Sequence, residues 1–123
     1  FVNNSKNLIL EKKHYKNLLF KGNTPPHQTT LINSELINEL GFFYDRKYKI
    51  AGDLDLFCRL GYKNNLRFSI MSNYILYIAT GGISGRFHIK RIFEVTRCYL
   101  IHFKIFFFIP LLLRYLKRFK QIL

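Results

Sequence analysis

Leu54, Phe57 and Cys58 recur at i, i+3 and i+4 within "AGDLDLFCRL" (51–60), while Asp55 and Arg59 stand four apart on another face. The spacing predicts a short helix starting at or near Asp53 and stopped by Gly61. Upstream, "NSELINELG" (33–41) predicts a two-turn helix: Asn33 or Ser34 can cap it, Glu35 suits its positive end and Gly41 can end it. Before that, Gly22, Pro25 and Pro26 impose an irregular approach to His27 and Gln28, read as a loop followed by a short strand. Residues 1–22 are polar and basic with one apolar patch, "NLLF". The run "LRFSIMSNYILYIAT" (66–80) is β-branched and aromatic, so it predicts two short strands or one strand bent at Asn73. "GGISG" (81–85) reads as a flexible loop. From Phe87 the pattern is long, apolar and basic, and predicts two helical segments hinged at Pro110.

Charge divides the chain further. Its 123 residues hold 20 Lys and Arg against 7 Asp and Glu, a formal net charge of +13, which favours anionic partners. Five of the seven acids lie between Glu35 and Asp55, whereas nine Lys and Arg stand from Arg86 onward beside one acid, Glu94. No groove-reading or base-stacking motif accompanies the charge, so nucleic acid is not an expected partner. Cys58 and Cys98 are isolated in helix-like apolar stretches and read as small buried hydrophobes, with no metal site and no disulfide framework.

The aspartate pair carries the candidate chemistry. An Asp-x-Asp that chelates one ion needs both carboxylates on one face, as at a strand end. On a helix, two residues amount to about 200° of rotation, so Asp53 and Asp55 diverge. Separate roles follow. Asp55 can pair with Arg59, and Asp53 can serve as a plain helix cap or as something more reactive.

The ordered set "PPHQTTLINSELINELGFFYDRKYKIAGDLDLFCRLGYK" (25–63), followed by "GGIS" (81–84), resembles the C-terminal half of bacterial family 2 glycosyltransferases of the GT-A class. The resemblance spans roughly residues 22–85. It implies an α/β fold: residues 1–85 as the acceptor-side portion of an incomplete GT-A (nucleotide-diphospho-sugar transferase) domain, and residues 86–123 as a basic, amphipathic helical tail. It also implies an inverting transfer of a sugar from a nucleotide-sugar donor to a hydroxyl of a saccharide or lipid-linked acceptor, in cell-surface polysaccharide synthesis. Asp53 would be the catalytic base, taking the hydroxyl proton as the oxygen attacks the anomeric carbon. His27, Gln28, Asp55 and Arg59 would line the substrate site, and Gly81, Gly82 and Ser84 would form a mobile loop near the donor phosphates. Arg86 and His88 are further candidates for a diphosphate or a metal, or for a solvated or membrane-facing surface. A divalent cation, Mg or Mn, is expected in the intact enzyme with ligands mostly outside this chain, as is the nucleotide-binding half, without which the chain is expected to be inactive. The family often has a second acid just before the base; Gly52 stands there instead.

The stretch "YLIHFKIFFFIPLLL" (99–113) contains His102, Lys104 and Pro110 and lacks the run of about 20 apolar residues that a spanning helix needs. It reads as an interfacial or re-entrant segment on an anionic membrane, or as a helix packed on the rest of the enzyme. The expected location is peripheral, on the cytoplasmic face of the cell membrane. The rival reading is a non-catalytic basic membrane-binding module or a degenerate remnant.

Overall fold

The computed structural model describes residues 8–25, 27–41, 43–62, 66–70 and 88–122. Five α-helices make up most of it: α1 (Lys12–Phe20), α2 (Ser34–Leu40), α3 (Gly52–Leu60), α4 (His88–Phe103) and α5 (Phe108–Ile122). Among the described residues the strand content is one antiparallel pair, β1 (Leu8–Glu11) against β2 (Arg67–Ile70), in the register Leu8 to Ile70 and Glu11 to Arg67. The expected α/β architecture is therefore corrected to a helical one. An α/β layer needs several strands joined by crossover helices, and among the described residues the apolar side chains instead meet helix on helix. Residues 71–87, with most of the strand-like run and the Gly81–Ser84 loop, lie outside the described residues.

The central piece is α3. Six of its nine residues are buried, and they face two ways. Leu54 and Cys58 join Tyr48, Ala51, Val95, Cys98 and Tyr99 in a cluster against α4. Leu56, Phe57 and Leu60 join Tyr15, Leu19 and Leu66 in a second cluster against α1 and β2. Tyr15 also donates its hydroxyl proton to the Phe57 carbonyl at 2.9 Å, tying α1 to α3. Each fully buried Leu or Phe here contributes about 2 kcal/mol by area removed from water.

Local signals fix α2. Asn33 Oδ1 accepts the Glu35 N–H at 2.8 Å, and Gly41, at φ 81°, turns the chain out of the helix. Two other expectations shift. His27–Thr29 forms a single 3-10 turn, with no strand behind it before α2. The tail breaks not at Pro110 but at Lys104–Phe106, a 3-10 turn entered with Lys104 at φ 49°. Proline cannot sit inside a continuous helix, because its ring meets the carbonyl four residues back; it fits the first turn of a new one. Pro110 therefore forces the break upstream and is itself the third residue of α5.

The two tail helices fold back onto the rest. At Gly22, φ 75°, a Cβ would lie 2.6 Å from the Pro110 carbonyl oxygen and 2.8 Å from the Arg114 nitrogen, so only glycine lets the α1 exit touch the α5 backbone. Arg114 and Lys117 then donate to the backbone carbonyls there, of Gly22 at 3.3 Å and Lys21 at 2.8 Å. Two of the tail's cations are thus spent on closing a helix end.

Candidate functional site

The approach to α3 is set from a distance. Glu94, buried on α4, accepts three consecutive backbone N–H groups: Lys49 at 3.2 Å, Ile50 at 2.7 Å and Ala51 at 3.0 Å. Burial opposes its charge, but these three hydrogen bonds outweigh that and hold its carboxyl below the usual range. The isolated acid of the basic tail is thus a clamp on the turn that leads into α3.

With α3 starting at Gly52 behind Ala51, Asp53 is the second helical residue and not the N-cap. One of its oxygens, Oδ1, accepts the Leu54 N–H at 2.9 Å. The other, Oδ2, lies 3.5 Å from His27 Nδ1, both side chains more than a third exposed. Gln28, also exposed, is the next residue of the same 3-10 turn. Gly52 sits close to Tyr44: a Cβ there would lie 3.3 Å from the Tyr44 ring, so a larger residue in front of Asp53 requires that ring to give by a few tenths of an ångström.

Asp55 points the opposite way, into the α3–α4 contact. Oδ2 accepts Arg59 Nε at 2.8 Å, and Oδ1 meets His102 Nε2 at 2.9 Å, with the Asp55 side chain only 4% exposed. Arg59 reaches on to donate to the Phe43 carbonyl at 2.6 Å. The two aspartates therefore do not converge, and both oxygens of Asp55 are taken. The pair does not fit the all-oxygen shell of Mg or Mn.

His102 is the residue the spacing argument passed over. Its signal was present: Cys98 and His102 are one helical turn apart on α4 and share a face. Asp55, the partner of His102, is 47 residues away from it in sequence, which no local pattern reveals. Asp55, Cys98 and His102 place their donor atoms within 4.8 Å of one another. The Cys98 thiol also hydrogen-bonds with Cys58, which with burial pushes its pKa up. A cavity of about 320 Å³ opens on this side of α3, with Cys58, Tyr62, His102, Lys16 and Phe103 among its walls. Asp53 and His27 are not part of it.

The charges of this cluster set a pH dependence. Burial works against the His102 cation, yet hydrogen bonds with Asp55 and Cys98 raise its pKa to about 9. Burial likewise opposes the Asp55 anion, and His102 and Arg59 hold it below the usual carboxylate range. A raised histidine stabilises the fold fully below its ordinary 6.5 and loses that contribution as pH rises through about 9. The lowered Asp55 contributes fully above 3.8 and loses its share as pH falls through its lowered value, with Glu94 acting in the same direction. The melting temperature of the metal-free protein should therefore hold a plateau near pH 5 to 6.5 and fall toward about pH 9. In His102→Gln the alkaline fall should flatten; an unchanged alkaline limb in that variant contradicts the pairing.

The tail's outer surface is apolar. Phe108, Leu112, Leu116 and Phe119 are each about half exposed or more and follow helical spacing along α5, preceded by exposed Ile105 and Phe106. Lys90, Arg97, Lys104 and Lys120 are exposed on the same two-helix unit. No helix among the described residues is long and apolar enough to cross a membrane. Comparison with known proteins returned no matching family model, no matching curated protein and no matching solved structure.

Proposed function

We propose that the chain takes part in an inverting glycosyl transfer from a nucleotide-sugar donor to a hydroxyl of a saccharide or lipid-linked acceptor, as in cell-surface polysaccharide synthesis, with Asp53 as the base. One observation carries the reading. Asp53 Oδ2 stands half-exposed at the start of a helix whose position is fixed by a buried carboxylate and two apolar clusters, with His27 at 3.5 Å. In the reaction the acceptor oxygen attacks the anomeric carbon, its proton passes to Asp53 Oδ2, and the nucleotide diphosphate leaves with the bonding pair. His27 orients that carboxylate, and Gln28 adds an exposed amide beside it. Any divalent ion that the reaction uses is held by residues other than Asp53 and Asp55, and the nucleotide-binding half that the resemblance implies is assigned to residues outside these 123.

The test is sugar transfer by the intact protein, with Asp53→Asn beside Asp55→Asn. Near-normal transfer in the first together with abolition in the second overturns the assignment.

We place the α4–α5 tail on an anionic membrane, peripherally and on the cytoplasmic face, because its exposed apolar stripe is flanked by cations. The chain should sediment with phosphatidylglycerol vesicles and not with phosphatidylcholine ones. Leu112→Glu with Leu116→Glu should lower the bound fraction roughly tenfold or more, since each buried leucine is worth about 1.5–3 kcal/mol. Equal binding to both vesicle types, or no effect of the double variant, removes the membrane from the reading.

A further inference from the structure

From the placement of Asp55, Cys98 and His102, we infer that the α3–α4 contact is a binding site for a zinc-class divalent ion, independent of the sugar-transfer reading. Three chemically different donors, one carboxylate oxygen, one thiol sulfur and one imidazole nitrogen, lie within 4.8 Å of one another. They come from two helices that other contacts hold in place, the Glu94 clamp and the shared apolar cluster. That donor set selects zinc, cobalt or cadmium over magnesium, because thiolate and imidazole are soft or borderline ligands.

The geometry asks for little movement. Zinc bonds of about 2.0 Å to nitrogen or oxygen and about 2.3 Å to sulfur set donors roughly 3 to 4 Å apart. Asp55 Oδ1 and His102 Nε2, now at 2.9 Å, open slightly while the Cys98 sulfur draws in. Arg59 already holds the far oxygen of Asp55 at 2.8 Å, the outer hydrogen bond that orients a ligating carboxylate. Of the three donors, His102 also lines the cavity beside α3, which gives solvent access to that side of the cluster.

The ion would be bound by carboxylate, thiolate and neutral imidazole, so metal binding releases the ligands' protons to solvent and its affinity rises with pH. Asp55 keeps its role as counter-charge, now to the metal.

The experiment is titration of the chelator-treated full chain with Co(II), followed by absorption, and zinc-edge X-ray absorption of the Zn(II)-loaded chain. The expected result is a thiolate-to-cobalt charge-transfer band with tetrahedral d–d bands, and a zinc shell of sulfur at about 2.3 Å with nitrogen or oxygen at about 2.0 Å. Cys98→Ser and His102→Asn, each checked for helical circular dichroism, should weaken Co(II) binding at least tenfold. Absence of the charge-transfer band in the wild-type chain, or a zinc shell without sulfur, overturns the site whatever the variants do. A band that survives in folded Cys98→Ser also overturns it.

Discussion

Asp53→Asn should lower sugar transfer by the intact protein by about 10²- to 10⁴-fold, the usual worth of a positioned general base, while leaving the fold intact. The amide keeps an oxygen for the Leu54 N–H and keeps the side-chain volume, but cannot take the acceptor proton. Its contact with His27 is exposed on both sides, 45% and 37%, and even a charged pair so exposed contributes about 0–1 kcal/mol. Transfer and stability should therefore separate: a rate collapse with the melting temperature nearly unchanged. A variant with near-normal transfer shows that the proton goes elsewhere. A variant that loses activity and unfolds together shows that Asp53 is structural.

The opposite separation is expected one turn inward. Asp55→Ala should cost about 3–5 kcal/mol in urea unfolding, the penalty for removing one partner of a buried pair and leaving the other charges unpaired. Arg59 and His102 both lose the carboxylate they contact at 2.8 and 2.9 Å, while Arg59 keeps its bond to the Phe43 carbonyl. Domains of this size have about 5–15 kcal/mol in total, so the loss is a large share of it. A change below about 1 kcal/mol is what a surface pair gives and contradicts the buried network. The two aspartates of one short motif are thus expected to differ in what their loss removes, the proposed chemistry at Asp53 and folding at Asp55.

That difference was legible in the sequence to a definite depth. The rotation per residue of a helix is enough to send Asp53 and Asp55 to opposite sides, and Asn33 and Gly41 declare both ends of α2 because cap chemistry is local. Pro110 announced a break but not its place, since the ring obstructs the carbonyl four residues upstream and the chain resolves the conflict there. Helix α1 went unread: only Tyr15 and Leu19 mark its buried face, amid basic residues. The partners of Glu94 and of His102 were beyond reach, because each contact joins residues more than 40 apart. The α/β expectation failed for a related reason. It came with the resemblance, and the described residues close their apolar faces helix against helix.

Glu94 and His102 are eight residues apart on α4, about 12 Å along its axis. The first grips the entrance to α3 and the second grips its body, so α4 lies along that nine-residue helix like a splint bound at two points. A splinted helix has no separate way to fray: freeing the turn that carries Asp53 means unfastening α4, and with it the start of the tail. The backbone that carries Asp53 is therefore anchored to α4 and the core, although Asp53 sits at a helix end, where backbones are ordinarily loosest.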